Sequence, residues 1–198
     1  DSDIMKQSTR KQIEEKLKKV IPKDCAGDFN QGLIELGAIV CVPNGEPKFD
    51  VASNGVFYKT NQVGSSVYYS SYTKITELER QKAIFTEAMD ISLKAIVDVN
   101  PNINAAYFNS WDNMNRLYPF IDKVYEQYGS HIKMEDYNFY YLADLKHNLE
   151  KKPIWTNAYL DPAGNGWMLS CVVPIYNNDF LEGVTGLDIT INSFIKNN

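Results

Sequence analysis

The sequence predicts an α+β fold: a central antiparallel sheet flanked by helices, preceded by an N-terminal helical segment. Three observations carry the prediction. Thr76-Glu77-Leu78-Glu79 is a capping box, with Thr at the N-cap and Glu three residues on. Leu78, Phe85, Met89, Leu93 and Ile96 then follow at helical spacing. Residues 167–175 and 180–191 are two largely apolar stretches around Asn177-Asn178-Asp179, the pattern of an antiparallel hairpin. Helix, strand, broken helix and hairpin, in that order, make α+β rather than alternating α/β.

Taken in order, residues 4–20 read as a helix. Ile4, Ile13, Leu17 and Val20 lie on a loose stripe with Lys and Glu between, and Pro22 follows the stop. A short helix is expected over residues 30–40, then a turn at Pro43-Asn44-Gly45. Composition changes near Asp50, and Val56, Tyr58, Val67 and Tyr69 suggest short strands. The capping box opens a helix that ends before Asn100-Pro101. Residues 103–108 form a candidate strand, 137–149 mixed loop and helix, and 155–160 a further strand after Pro153. Asp161-Pro162-Ala163-Gly164 is a turn. The stretch 167–175 is apolar enough to be buried on both faces. Gly183 and Gly186 permit bulges or close approach in the returning strand, and a last helix is expected from about Asn192.

Composition narrows the function. Residues 1–24 hold seven Lys/Arg and five Asp/Glu, net +2; residues 25–198 hold thirteen and twenty, net −7. An acidic body lacks the clustered cations that nucleic acid requires, so nucleic acid is not an expected partner. Three cysteines make no disulfide framework, and two histidines outside any ligand spacing leave no metal and no cofactor implied. Neither a Gly-x-Ser-x-Gly elbow nor a P-loop is present, which argues against an enzyme. No stretch reaches the roughly 18–20 apolar residues of a membrane span. The chain begins at Asp1 without Met, so that absence says nothing about a parent protein.

The runs Ala106-Tyr-Phe-Asn, Asn115-Arg-Leu-Tyr-Pro-Phe, Tyr137-Asn-Phe-Tyr-Tyr, Trp155-Thr-Asn-Ala-Tyr-Leu-Asp-Pro-Ala-Gly and Gly183-Val-Thr-Gly-Leu-Asp-Ile-Thr resemble the double-Cache sensor region. Such PAS-like modules are the extracytoplasmic sensors of histidine kinases, chemoreceptors and diguanylate cyclases. The resemblance covers about residues 53–195. It implies two domains: a lead-in over 1–50 and a membrane-distal Cache module over 53–198. It also implies a sensor rather than an enzyme, anchored at the cell membrane through a parent receptor, and it is compatible with a homodimer.

In members that bind amino acids, an Arg-x-Trp-Tyr run and two Asp line the pocket. By this resemblance Asp161 and Asp188 are the two acids that take an ammonium group, and Tyr141 is the pocket Tyr. Tyr140 stands where Trp is usual and Asn138 where Arg is usual. Asn carries no charge to fork a carboxylate, which points away from α-amino acids and towards a small amine or another polar metabolite. Trp167 and Arg116 complete the candidate ligand-binding set. Arg116 either pairs with a local acid or supplies the charge that Asn138 lacks; Trp167 is either core or ligand contact. The other reading is a structural or dimerising ectodomain with no small ligand.

Residues 3–48 have a second resemblance. Asp28-Phe-Asn-Gln-Gly-Leu-Ile-Glu-Leu-Gly-Ala-Ile-Val-Cys-Val-Pro is similar to the end of the helical domain of adenine-specific mismatch DNA glycosylases. Cys41 matches the first ligand of their four-Cys iron–sulfur cluster. Lys48 and Phe49 stand where the next ligand is due, and no Cys follows until Cys171. Four thiolates are needed, so the segment is expected to be an inactive fragment.

Overall fold

The computed structural model describes residues 6–20, 48–162 and 164–191. The chain divides into two compact units, Asp1–Val42 and Pro43–Asn198. In the first, helix α1 spans Gln7–Val20. Lys18 and Lys19 occupy its last turn, where the negative end of the helix favours cations, and Lys18 pairs with Glu14 one turn back at 2.6 Å. The helix expected over 30–40, Cys41 and the helix expected from Asn192 lie outside the described residues.

The second unit is built on one antiparallel sheet. Its strands are β1 (Phe49–Val51), β2 (Phe57–Lys59), β3 (Ser66–Tyr69), β4 (Ala105–Ser110), β5 (Met114–Tyr118), β6 (Ile154–Trp155), β7 (Tyr159–Leu160), β8 (Trp167–Asn177) and β9 (Phe180–Thr190). The spatial order is β1-β2-β3-β5-β4-β9-β8-β6, with β7 also pairing with β8. The α+β architecture expected from the sequence is the one observed. The hairpin β8–β9 turns at Asn178, which adopts a left-handed φ of 55° that Asn tolerates better than most residues. The stretch 155–160, expected as one strand, is two short pairings with β8, at Trp155 and at Tyr159–Leu160.

Register decides which side chains share a face. Tyr107 sits opposite both Leu117 and Gly186, Asn109 opposite Asn115, and Ser170 opposite Asp188. With a side-chain period of two, these residues project from one face, and Phe108, Arg116, Cys171 and Leu187 project from the other. The first face packs against the short helices α4 (Val124–Gln127) and α5 (Asn138–Tyr141) and the segment between them, through Val124, Ile132, Met134, Phe139 and Tyr140. The second carries a core of Phe57, Val67, Tyr69, Ala83, Phe108 and Met114.

The helical segment on the second face departs from expectation. It is α2 (Glu77–Phe85), a tight 3₁₀ turn (Thr86–Met89) and α3 (Asp90–Val99), not one continuous helix. The capping box is present: Thr76 Oγ1 accepts from the Leu78 amide at 3.2 Å, and Glu79 Oε2 accepts from the Thr76 amide at 2.8 Å. The break has a cause in β5. Arg116 is fully buried and reaches across to donate to the Ala83 carbonyl, to Thr86 Oγ1 (3.0 Å) and to Asp90 Oδ1 (2.7 Å). Thr86 Oγ1 in turn donates to the Lys82 carbonyl at 2.9 Å. Side-chain groups inserted into the i→i−4 ladder tighten and bend a helix. The buried positions are therefore Ala83, Thr86 and Leu93, whereas Leu78 and Phe85 of the expected stripe are exposed.

Candidate functional site

A cleft with about 380 Å³ of open space, part of it continuous with solvent, lies between the first sheet face and the segments that cover it. Its floor is Tyr107 and Asn109 of β4, Asn115 and Leu117 of β5, and Asp188 of β9. Tyr128, Ile132, Met134 and Phe139 form one wall, and Tyr159, Asp161 and Pro162 the other. These residues meet because β4, β5 and β9 are adjacent in register, and because Tyr159 and Asp161, two apart in extended chain, share a side while Leu160 faces out. The bend after β7 is closed by the Gly164 amide donating to the Asp161 carbonyl at 2.9 Å, with Gly164 at φ 82°. Asp161 Oδ2 also accepts from Asn165 Nδ2 at 2.6 Å, which fixes its carboxylate.

Asp188 is the chemically unusual member. It is buried, and its Oδ1 accepts from Ser170 Oγ at 2.6 Å and from Tyr159 Oη at 3.4 Å. Burial pushes its carboxyl up to about 7, with the charge of Asp161 adding to the rise and the Ser170, Tyr159 and Tyr107 hydroxyls opposing it. Burial likewise raises the phenols of Tyr107, Tyr128 and Tyr159, each with the Asp188 charge acting in the same direction. Tyr107 Oη, beside Asp188 and Ser170, has no hydrogen bond of good geometry, and neither has Asn115 Oδ1. Asn115 Nδ2 donates to Asn109 Oδ1 at 2.7 Å. No Lys, Arg or His is among the described lining residues. The cleft thus presents two carboxyl groups, an amide oxygen and phenol hydroxyls to an occupant, over walls of ring and hydrocarbon.

Five of the seven candidates lie elsewhere. Arg116 points from the opposite sheet face into the helix break, where it pairs with Asp90. Asn138 is turned outward, donating from Nδ2 to the Asn157 carbonyl at 3.1 Å. Tyr140 is core and Tyr141 packs on His147 with ring centroids 5.3 Å apart. Trp167 is 59% exposed, opposite Leu160, which is exposed as well. The reason for the displacement around Asn138 is helical geometry: successive residues of α5 are about 100° apart, so only Phe139 faces the cleft. Phe139 stacks on Tyr137 (5.0 Å) and meets Tyr159 (5.4 Å), joining the two walls. Tyr107, Asn109, Asn115, Leu117, Tyr128 and Tyr159 were not singled out by sequence reasoning. The alternation Tyr159-Leu160-Asp161 could have pointed to Tyr159; nothing local marks the Asn pair.

A family model described as "Methyl-accepting chemotaxis protein-like, first PDC sensor domain" matches residues 90–196, over half of the chain. The chain belongs to this family. Every described residue lining the cleft falls inside the matched region of this PDC sensor domain. Two solved structures are similar at 18% identity. One is the ligand-binding domain of the Pseudomonas aeruginosa PAO1 amino acid chemoreceptor PctC in complex with GABA, with TM-score 0.36, covering 47% of this chain and 41% of that one. The other is the ligand-binding domain of the Campylobacter jejuni chemoreceptor Tlp3 in complex with 4-methylisoleucine, with TM-score 0.33, covering 59% and 42%. The chain spans less than half the length of either. The PDC, or Cache-type, domain is a sensor and not itself catalytic. The family match begins at residue 90 and gives the glycosylase-like stretch 3–48 no support. Among the described residues no helix is long and apolar enough to cross a membrane, and no cluster of His, Cys, Asp and Glu could hold a metal ion.

Proposed function

We propose that this domain is the membrane-distal, extracytoplasmic half of a double-Cache ectodomain in a transmembrane receptor of the chemoreceptor or histidine kinase type. Its cleft takes a small metabolite by an ammonium group. The family description, a first sensor domain, supports the placement. One observation carries the ligand class: Asp161 and Asp188 line a single cleft whose described lining holds no cationic side chain. A carboxylate enclosed without a cation carries a desolvation penalty that a cationic occupant relieves. The rings of Tyr107, Tyr128, Phe139 and Tyr159 suit the alkyl or methylated carbon around such a nitrogen. With Arg116 engaged by Asp90, an α-carboxylate would meet no fork of its own, so simple amines are favoured over amino acids.

A thermal-shift comparison of amines with matched carboxylic acids tests this. At about 100 times its dissociation constant a ligand stabilises by about 2.7 kcal/mol. For a unit of this size that corresponds to a melting shift of about 5–11 °C. Amines should give the shift, and Asp188→Asn should greatly reduce it. A shift with acids and none with amines would refute the ligand class. No shift with either would favour a structural ectodomain.

A further inference from the structure

We propose that the cleft exchanges its ammonium ligand against a proton on Asp188, so that the module reads amine and ambient acidity together. This rests on the amine reading above and adds its regulation.

The groups packed around Asp188 carry the argument. From β8, Ser170 Oγ donates at 2.6 Å, and from β7, Tyr159 Oη lies at 3.4 Å. From β4 comes Tyr107, from the wall after α4 Tyr128, and from the bend after β7 Asp161. The titratable groups that face Asp188 are thus three phenols and one further acid. No ammonium, guanidinium or imidazole stands among the described residues lining the cleft. Without an ammonium beside it, the negative charge on Asp188 is supported by the hydroxyls of Ser170, Tyr159 and Tyr107, against burial and the Asp161 charge. These forces hold the carboxyl up to about 7.

An entering ammonium supplies the missing charge and requires the carboxylate form. The step is R–NH₃⁺ plus Asp188–COOH going to the R–NH₃⁺···⁻OOC–Asp188 pair plus a proton released to solvent. No electron moves, and the Asp188 O–H bond is the one broken. Proton and amine therefore compete for one oxygen pair. From pH 8 to 5.5 the ionised fraction of such a group falls from about 90% to about 3%, which weakens amine affinity about 30-fold. A receptor carrying this module would lose amine occupancy as its surroundings acidify.

Calorimetric titration of the whole chain with choline and with 1,4-diaminobutane tests the exchange. Both stay fully cationic over this pH range, so any proton comes from the protein. Affinity should fall about 30-fold between pH 8 and 5.5. At pH 6.5 the heat should differ between phosphate and Tris by most of one proton's worth of buffer ionisation. Asp188→Asn should bind weakly, with neither pH nor buffer dependence. Amine binding that is flat in pH, or heat independent of buffer, overturns the exchange while leaving the amine reading intact. Persistent pH dependence in Asp188→Asn overturns the assignment to this residue. No heat with either amine overturns both. The buffer comparison needs only the native protein, so a variant that misfolds does not decide the matter.

Discussion

Replacing Arg116 by Met removes a charge from a fully buried position while keeping most of the side-chain volume. The guanidinium has three partners: Asp90 Oδ1 at 2.7 Å, Thr86 Oγ1 at 3.0 Å and the Ala83 carbonyl. Taking away one member of a buried ion pair costs about 3–5 kcal/mol, because the other charge stays buried. Here Asp90 keeps the Ser65 amide at 3.0 Å and Lys59 Nζ at 3.7 Å, and Lys59 is itself held by Glu87 at 2.6 Å. That residual pairing puts the loss near the lower bound, about 3 kcal/mol. For a unit of this size the melting temperature should fall by about 6–12 °C. Urea unfolding gives the free energy and calorimetry the temperature. Asp90→Asn in the Arg116→Met background should cost much less than Asp90→Asn alone, since the two residues share one interaction. Amine affinity should be almost unchanged. A loss below about 1 kcal/mol, or lost affinity at full stability, would refute the structural role and return Arg116 to the ligand.

Three further outcomes are expected. Without ligand, ionising Asp188 opposes folding, because its folded value of about 7 exceeds the unfolded one near 3.9. Stability from this group is full below about pH 4 and is lost as pH rises through 7, so Asp188→Asn should stabilise the empty domain by up to about 4 kcal/mol at pH 8 and hardly at pH 4; equal urea midpoint shifts at both would contradict it. A Cβ on Gly186 would sit 2.4 Å from the Tyr107 ring tip. Gly186→Ala should therefore push Tyr107 into the cleft, cost about 1–3 kcal/mol and weaken amine binding, whereas unaltered binding by calorimetry would show that Tyr107 has room to yield. Thr76→Ala removes the cap of α2 and should cost about 1 kcal/mol in chemical denaturation, with no change in amine affinity.

The sequence determined what local chemistry can determine. Thr76 and Glu79 fixed a helix start through bonds three residues apart, and Asn178 fixed the β8–β9 turn through its tolerance of positive φ. Asp188 stood out because a carboxylate on an apolar strand demands a reason. Strand β5 was illegible: Met-Asn-Arg-Leu-Tyr sends Asn115 into a polar cleft and Arg116 into a buried ion network, so neither face shows the apolar alternation that marks a strand. Which residues share the cleft with Asp188 was settled only by register, since pairing β4 with β9 brings together positions 73 to 83 residues apart, and β5 joins them through its own pairing with β4. A one-residue slip would have turned Tyr107 and Asn115 away and brought Arg116 round. That choice belongs to the summed packing of two sheet faces, which no window of sequence contains.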